Sequence, residues 1–340
     1  MKSVKVGING MGRIGRTILR EWTKRQLAGK DLHIEIVAVN NPGDQTGYAQ
    51  LIKYDSLHGK LPVDVTLADG SLKIGDKSIR FYGTKNPAEI PWSDHGVQIV
   101  IDATGVFKDK PGLGQHMSGT VKKVIMCAPG KDLDGTFVMG VNHAKYDAAN
   151  HHIISNASCT TNCLAPIVKV LHETFGIENG FMTTVHAYTS DQNLLDNTHS
   201  DPRRARAAAM SMIPTSTGAA KAMGDVIPEM AGKLDGSSIR VPTPDVSMVD
   251  FTVNLLKPAD KKAINAAMKE ASQGSLKGVL AYTEEELVSI DFMGNPHSSI
   301  FDSKLTNVIG KTAKVVCWYD NEVGFSNRVV DLAGFVGGQL

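Results

Sequence analysis

The sequence predicts an α/β protein in which a doubly wound parallel sheet is joined to an α+β domain with a mixed or antiparallel sheet. Short apolar runs alternate with segments of helical spacing over roughly the first 150 residues. A glycine-rich loop separates the first run from the first helical segment. Beyond about residue 160, the apolar runs lengthen and some carry alternating polar residues. A chain of 340 residues is long enough for two such domains.

The N-terminal elements predict a βαβ unit followed by further parallel strands. "VKVGI" (4–8) and "HIEIVAVN" (33–40) are strand-like, and the segment between them, "RIGRTILREWTKRQL" (13–27), has helical spacing. "VQIVIDATG" (97–105) and "VKKVIMCAP" (121–129) predict two more apolar strands. The intervening segments are long enough for helical crossovers, which parallel strands require.

An antiparallel excursion is predicted inside this sheet. Residues 63–82 read "VDVTLADGSLKIGDKSIRFY", with alternating residues on both sides of Asp69-Gly70, a pair that suits a tight hairpin turn.

The second half favours long strands. "GFMTTVHAYT" (180–189), "SSIRVPTPDVSMVDFTVNLL" (237–256) and "AKVVCWYD" (313–320) have strand character. The last segment, "NRVVDLAGFVGG" (327–338), returns to helical spacing.

Composition restricts the function classes. The chain has 36 basic and 35 acidic residues, a net charge of +1, so neither a nucleic acid nor a membrane surface is an expected partner. Four cysteines are too few for a disulfide framework and favour reduced thiols in the cytoplasm. The N-terminus lacks the apolar core of a signal peptide, and no run of about 18 apolar residues occurs.

The glycine-rich loop indicates dinucleotide binding. Gly10, Gly12 and Gly15 fit G-x-G-x-x-G between a strand and a helix, where backbone N–H groups approach a pyrophosphate. A glycine turn without a ligand is the alternative. The second strand ends at Asn40 and Asn41 rather than at an acidic residue, so the charge that would repel a 2′-phosphate is missing. Discrimination against NADP is therefore expected to be lost, so that NAD and/or NADP is the expected cofactor.

The stretch "HHIISNASCTTNCLAP" (151–166) offers a thiol at a helix start. Three roles are open for Cys159: a nucleophile, a metal ligand together with Cys163, or a small residue in a turn. As a nucleophile it would be favoured by its place at a helix start, which is expected to lower the pKa of its thiol. The stretch lacks a companion pair of ligands for zinc, so no metal is predicted, and Cys163 is expected to pack in the core. His186 is a candidate base for Cys159, with a structural strand histidine as the alternative.

Six segments carry specific motifs: "INGMGRIGR" (8–16), "NASCTTNCLAP" (156–166), "HAYTSDQ" (186–192), "RRARAAAMSMIPTSTGAAKA" (203–222), "RVPTPDVSMVDF" (240–251) and "WYDNEVGFSNRVVDL" (318–332). Together they resemble the phosphorylating glyceraldehyde-3-phosphate dehydrogenases, and the resemblance runs essentially from end to end. It implies oxidation of D-glyceraldehyde 3-phosphate with inorganic phosphate and NAD(P) to 1,3-bisphosphoglycerate, through a hemithioacetal and a thioester on Cys159, with His186 as acid and base.

The resemblance also implies two anion sites and a set of cofactor contacts. The substrate's own phosphate is expected at Thr189 and Arg240, with Asp191 orienting the arginine. The attacking phosphate is expected at Ser158, Thr160, Arg204, Thr217 and Gly218. A solvated basic helix face is the alternative interpretation of "RRARAAA" (203–209). Besides the three loop glycines, the expected cofactor contacts are Arg13, Ile14, Asn41, Lys85, Thr104, Gly105, Cys127 and Asn321, the last holding the nicotinamide carboxamide.

Some positions depart from the usual family pattern. Asn41 replaces a common aspartate, and Asn197-Thr198 replaces a common Leu-Pro; both changes resemble NADP-using or dual-cofactor members. Lys85, Cys127, Val323 and Phe325 also differ from the residues that are frequent in the family.

The predicted organisation is a Rossmann-type dinucleotide-binding domain at residues 1–158, completed by a C-terminal helix at 321–340, and a catalytic domain at 159–320. A cytoplasmic homotetramer acting in glycolysis or gluconeogenesis is expected. The alternatives are an erythrose-4-phosphate dehydrogenase, a semialdehyde dehydrogenase acting on an acyl phosphate, and a non-enzymatic binding protein on the same fold.

Overall fold

The computed structural model describes residues 3–340. Met1 and Lys2, with which the predicted first domain begins, lie outside the described residues. The chain divides into two compact units. The first unit contains the chain through Phe137, then His143–Ala157 and Ser326–Leu340, and the second contains Val138–Asn142 and Ser158–Phe325.

The first unit is built on a nine-stranded sheet. The strands of this unit are β1 (Val4–Asn9), β2 (Ile34–Asn40), β3 (Tyr54–Asp55), β4 (Gly59–Lys60), β5 (Val65–Ala68), β6 (Ser71–Ile74), β7 (Lys77–Tyr82), β8 (Ile99–Asp102), β9 (Lys123–Met126), β10 (Gly135–Thr136) and β11 (Ile153–Ser155). The sheet order is β10-β11-β9-β8-β1-β2-β7-β6-β5, while β3 and β4 pair separately. All neighbours from β10 to β7 are parallel, which confirms the predicted doubly wound sheet.

The antiparallel excursion lies where the sequence places it. Strands β5 and β6 form a hairpin through Asp69 and Gly70, whose φ angles of 53° and 66° are those of a turn with two left-handed residues. Strand β6 then pairs antiparallel with β7, which joins β2 in parallel. Because β2 and β8 flank β1 on opposite sides, the chain order reverses at the carboxyl end of β1, the place where ligands bind in open α/β sheets.

The second unit contains a mixed seven-stranded sheet, as predicted. Its strands are β12 (Ile177–Ala187), β13 (Ile213–Ser216), β14 (Leu234–Val241), β15 (Ser247–Leu255), β16 (Leu280–Thr283), β17 (Ser299–Ile309) and β18 (Thr312–Tyr319). The sheet order is β13-β14-β12-β15-β18-β17-β16, with parallel pairs only at β12–β14 and β16–β17.

One strand prediction is wrong. Residues 237–256 form parts of two strands, because β14 ends at Val241 and β15 begins at Ser247. Pro242 and Pro244 lack the N–H that a central ladder requires, and Val246 adopts a left-handed φ of 63°.

The helices are α1 (Arg13–Leu27), α2 (Tyr48–Lys53), α3 (Lys110–Gly114), α4 (Cys159–Phe175), α5 (Met223–Val226), α6 (Lys261–Gln273) and α7 (Val323–Gly337). Short 3-10 turns lie at Pro87–Glu89, Trp92–His95, His143–Lys145, Pro228–Met230 and Ser289–Phe292. Within the first unit, Asp331 of α7 forms an ion pair with Arg25 of α1 at 2.7 Å. No helix in residues 3–340 is long and apolar enough to cross a bilayer.

Candidate active site

The thiol of Cys159 and the imidazole of His186 meet inside the second unit. Helix α4 begins at Cys159 because Ser158 caps it, its Oγ accepting from the N–H of Thr161 at 3.0 Å. His186 lies near the carboxyl end of β12. Its Nε2 is 3.6 Å from the Sγ of Cys159, within reach of a sulfur hydrogen bond. The structure thus brings together the two residues predicted to carry the chemistry.

The orientation of His186 follows from its second ring nitrogen. Nδ1 lies 2.6 Å from the carbonyl oxygen of Ala187, which only accepts, so Nδ1 carries the proton and Nε2 presents its lone pair to sulfur. Burial and then the charge of Arg240 lower the pKa of His186 to about 3. The imidazole is therefore neutral near pH 7 and is arranged as a proton acceptor.

Burial also acts on the thiol. It raises the pKa of Cys159, against the opposing effects of Arg240 and of hydrogen bonds at Thr160. The backbone N–H groups at the start of α4 lower this pKa, as expected, but burial outweighs them and the net shift is upward. Burial thus favours the neutral thiol beside the neutral imidazole.

Tyr319 joins the two elements that carry these residues. Its hydroxyl lies 2.9 Å from Oγ1 of Thr160 on α4 and 2.9 Å from Oγ1 of Thr184 on β12. Its ring makes an edge-on contact with His186, with ring centroids 5.9 Å apart. Sequence reasoning missed Tyr319, since a tyrosine in a strand carries no local signal of such a contact. Thr160, which was expected to bind phosphate, directs its hydroxyl to Tyr319.

Arg240 lies beside Cys159 and His186. It is the register partner of His186 between β14 and β12. Its Nη1 donates to Oγ1 of Thr189 at 3.2 Å and to the carbonyl of Ala187 at 3.3 Å. Arg240 and Thr189, the two residues expected at the substrate phosphate, are thus in direct contact.

Asp191, which is expected to orient Arg240, raises the pKa of that arginine through its negative charge. Its carboxylate accepts a hydrogen bond from Nη1 of Arg204. The Nε of Arg204 donates to Thr215 at 3.0 Å, and its Nη2 donates to the carbonyl of Ser216 at 3.1 Å. Arg204 is thereby tied to β13, directly before two further residues of the expected second anion site.

Those two residues directly follow β13. The Oγ1 of Thr217 accepts from the N–H of Ala219 at 3.2 Å. A Cβ added to Gly218 would meet no atom within 4 Å, so the backbone here is open to a ligand. Ser158, also expected at this site, uses its hydroxyl to cap α4.

The glycine loop of the first unit fits a pyrophosphate. Gly10 has a φ of 93°, and a Cβ on Gly15 would lie 1.9 Å from the carbonyl oxygen of Gly10. A Cβ on Gly12 would meet nothing within 4 Å. Because α1 has no side-chain cap and no acidic residue in its first turn, this helix end can receive an anion.

Side chains around the loop hold it in place. The Oδ1 of Asn41 accepts from the N–H of Met11 at 3.0 Å, which ties the loop to the end of β2. Arg13 forms an ion pair with Asp55 at 2.7 Å. Thr104 bonds to Asp102 through its N–H and its hydroxyl, at 3.1 and 2.7 Å.

The other expected cofactor residues differ in exposure. Lys85 and Gly105 are exposed, and Ile14 is half-buried. Half-buried Cys127 donates its N–H to the carbonyl of Asp102.

Asn321 and Cys163 are both buried in the second unit. The Oδ1 of buried Asn321 accepts from Oγ of Ser247 at 2.7 Å, and the same Oγ accepts from the N–H of Ala187 at 3.0 Å. Ser247, which the sequence did not single out, therefore connects Asn321 to the residue after His186. Cys163 is fully buried, with its Sγ 3.6 Å from the hydroxyl of Ser299.

A doubly wound sheet with a glycine loop, joined to a unit that presents a thiol and a base, defines a dinucleotide-dependent oxidoreductase. The family model for the glyceraldehyde 3-phosphate dehydrogenase NAD binding domain matches residues 4–110, and the model for the C-terminal domain matches residues 158–321. The chain belongs to the glyceraldehyde-3-phosphate dehydrogenase family, which confirms the resemblance predicted from the motifs and the use of a nicotinamide cofactor.

Relatives match over almost the whole chain. Identity is 52% over 333 residues to glyceraldehyde-3-phosphate dehydrogenase 1 of Bacillus cereus, covering 98% of both chains. It is 54% over 335 residues to glyceraldehyde-3-phosphate dehydrogenase 2 of a Nostoc species, again covering 98% of both. For the Streptomyces coelicolor enzyme it is 53% over 340 residues, covering 99% of this chain and 100% of the relative.

Proposed function

We propose that the protein oxidises D-glyceraldehyde 3-phosphate to 1,3-bisphosphoglycerate, using inorganic phosphate and NAD or NADP. The observation that carries this function is the 3.6 Å separation between the Sγ of Cys159 and an Nε2 that bears a lone pair. Family membership supports the substrate and the phosphorylating outcome. No contact in residues 3–340 favours erythrose 4-phosphate as the substrate instead.

The chemistry at Cys159 takes place in two stages. Nε2 of His186 accepts the thiol proton while sulfur bonds to the aldehyde carbon, and the imidazolium then donates that proton to the carbonyl oxygen, giving a hemithioacetal. His186 next removes the hydroxyl proton as the carbon loses hydride, leaving a thioester. A bound nicotinamide cofactor supplies the hydride acceptor. A phosphate oxygen then attacks the thioester carbon, the C–S bond breaks to release the acyl phosphate, and the imidazolium returns its proton to the departing sulfur.

Two arginines serve the anions of this reaction. We assign the substrate's C3 phosphate to Arg240 and Thr189, whose contact leaves the other N–H groups of the guanidinium for phosphate oxygens. We assign the attacking phosphate to Arg204, Thr217 and Gly218, with the hydroxyls of Ser158 and Thr160 turning from their present partners. Both arginines lower the pKa of His186, so their charges act on the catalytic pair.

The end of β2 supports use of both cofactors. Asn41 carries no charge to repel a 2′-phosphate, and exposed Lys85 adds a positive charge to the segment after β7. The first carboxylate after β2, Asp44, is held by the N–H and hydroxyl of Thr46 at 3.0 and 2.7 Å. Asn321 is assigned to the nicotinamide carboxamide.

The proposed assembly is a cytoplasmic homotetramer. Apolar side chains on the outside of the second unit support association: Phe181 is 72% exposed, Met210 79% and Ile309 84%. The first unit is assigned to dinucleotide binding and the second to the thiol chemistry. All four cysteines are free, in keeping with a reducing compartment.

A steady-state assay tests the proposed function. Reduction of NAD and of NADP is followed with glyceraldehyde 3-phosphate, with and without phosphate, and with erythrose 4-phosphate as a second aldehyde. Phosphate-dependent reduction with comparable initial rates for NAD and NADP is expected. A preference for NAD above about a hundredfold, about 3 kcal/mol, contradicts the dual-cofactor proposal, and a preference for erythrose 4-phosphate contradicts the substrate.

A further inference from the structure

A buried hydrogen-bond network lies at the carboxyl ends of the central strands of the first unit. The Oδ2 of Asp102, the last residue of β8, accepts from Nδ2 of Asn9, the last residue of β1, at 2.9 Å. The same oxygen lies 3.3 Å from Nε2 of His116. The Nε1 of Trp92 is 3.2 Å from Nδ1 of that histidine. Each of these four side chains is at most 3% exposed.

The contacts determine the tautomer of His116. An indole N–H can only donate, so Nδ1 must accept from Trp92 and the ring proton must be on Nε2. Nε2–H then donates to Asp102. Trp92 thereby selects the form of His116 that bonds to the carboxylate, much as outer partners fix the tautomer of catalytic and metal-binding histidines.

Asp102 connects His116 to the segments that are assigned to cofactor binding. Its second oxygen, Oδ1, accepts from both the N–H and the hydroxyl of Thr104. A Cβ on Gly10 would lie 2.8 Å from the backbone nitrogen of Thr104, so the Thr104 turn and the glycine loop are packed in contact. The N–H of Ala103 also bonds to the carbonyl of Asn9 at 2.8 Å. The orientation of Asp102 therefore affects both segments that are assigned to the dinucleotide.

We propose that Trp92 and His116 are positioning residues for dinucleotide binding: through Asp102 they hold the Thr104 turn against the glycine loop. This inference rests on the assignment of that loop to the cofactor. The two residues do not touch the cofactor themselves. Their loss weakens the affinity for NAD while turnover at saturating NAD and the KM for the aldehyde stay close to wild type.

The test compares two buried tryptophans of the same unit in the full-length enzyme. Trp92→Phe removes the donor to His116, whereas Trp22→Phe removes a donor to the carbonyl of Ile34, at the amino end of β2. Calorimetric titration with NAD is expected to show about a tenfold rise in Kd for Trp92→Phe and a change below about twofold for Trp22→Phe. Equal changes in the two variants, or an unchanged Kd for Trp92→Phe, overturn the proposal.

A second pair of variants, both at His116, tests the proposal if Trp92→Phe does not fold. His116→Gln retains a side-chain N–H that can reach Asp102, and His116→Leu does not. The glutamine variant is expected to bind NAD several-fold more tightly than the leucine variant, and equal affinities overturn the proposal. Because NAD binding is measured without the aldehyde, an enzyme that binds NAD but fails to oxidise glyceraldehyde 3-phosphate contradicts the proposed function alone.

Discussion

The Nε2 of His186 lies 3.6 Å from the Sγ of Cys159 and faces it with a lone pair, because Nδ1 donates to the carbonyl of Ala187. The two residues are on different elements, the first turn of α4 and the end of β12, and Tyr319 bonds to both elements through neighbouring threonines. Burial raises the pKa of Cys159 and lowers that of His186, so both shifts favour the neutral thiol and the neutral imidazole.

Replacing Arg240 removes a positive charge beside this pair. We expect Arg240→Leu to raise the pKa of both Cys159 and His186, since the guanidinium lowers each. The pH profile of Cys159 alkylation by iodoacetamide should therefore move to higher pH. The KM for glyceraldehyde 3-phosphate should rise on the order of 10- to 100-fold through loss of a charge-assisted phosphate contact. Arg206→Leu is the control, because Arg206 is exposed and pairs with Asp196; an equal effect there would refute the assignment.

A carboxylate at position 41 should make the enzyme specific for NAD as its cofactor. Asn41→Asp keeps an oxygen that can accept from the N–H of Met11, so the glycine loop stays anchored. The new charge repels a 2′-phosphate, and kcat/KM for NADP should fall about a hundredfold while the value for NAD stays within about threefold. Asn41→Ala, which loses the anchor without adding charge, should weaken both cofactors alike. If Asn41→Asp lowers kcat/KM for NAD and for NADP to the same extent, the charge at position 41 does not determine the choice between the two cofactors.

Alanine at Gly15 should reduce stability, whereas alanine at Gly12 should reduce NAD affinity. A Cβ on Gly15 would lie 1.9 Å from the carbonyl oxygen of Gly10, so Gly15→Ala distorts the loop and should lower the melting temperature. Gly12→Ala meets no protein atom within 4 Å and should keep the wild-type melting temperature, yet it places a methyl group where the pyrophosphate approaches. Thermal unfolding and NAD titration separate the two; wild-type affinity in Gly12→Ala argues against this binding mode.

The Arg13–Asp55 pair should make stability depend on acid pH. Burial alone raises the pKa of Asp55, but hydrogen bonds from the N–H groups of His58 and Leu57 and from Arg13 lower it to about 2 from 3.8. Because the folded-state pKa is the lower one, the stabilisation is present above pH 4 and is lost as pH falls toward 2.

Asp55→Asn should therefore reduce the free energy of unfolding by about 2 kcal/mol at pH 7. Urea unfolding at a series of pH values measures this difference in the free energy of unfolding between Asp55→Asn and wild type. The difference from wild type should shrink below pH 4, and a difference that does not change with pH would mean that the variant acts through packing instead.

Local patterns were sufficient for much of the fold. The glycine loop, the Asp69-Gly70 hairpin and the start of α4 were predicted because turn chemistry and apolar spacing act over a few residues. The break between β14 and β15 was missed, although Pro242 and Pro244 signalled it, because the apolar spacing on both sides is that of a single strand.

Contacts between residues that are distant in the chain could not be predicted from the sequence. The motifs identified Cys159 and His186, but the partner of Asp191 proved to be Arg204, and nothing local indicates that the hydroxyl of Thr160 reaches Tyr319. These contacts depend on the register of neighbouring strands and on the packing of a helix against a sheet, which the order of residues alone does not specify.

The most direct test of covalent catalysis at Cys159 is a rapid-mixing measurement without phosphate. With saturating NAD and glyceraldehyde 3-phosphate, the enzyme should form about one NADH per subunit in a burst and then slow, because the thioester has no phosphate to cleave it. Added phosphate should restore steady turnover, and Cys159→Ser should give neither phase, whereas Cys163→Ala should give both. Continuous NADH formation without phosphate at the full rate, or a burst in Cys159→Ser, would contradict the mechanism.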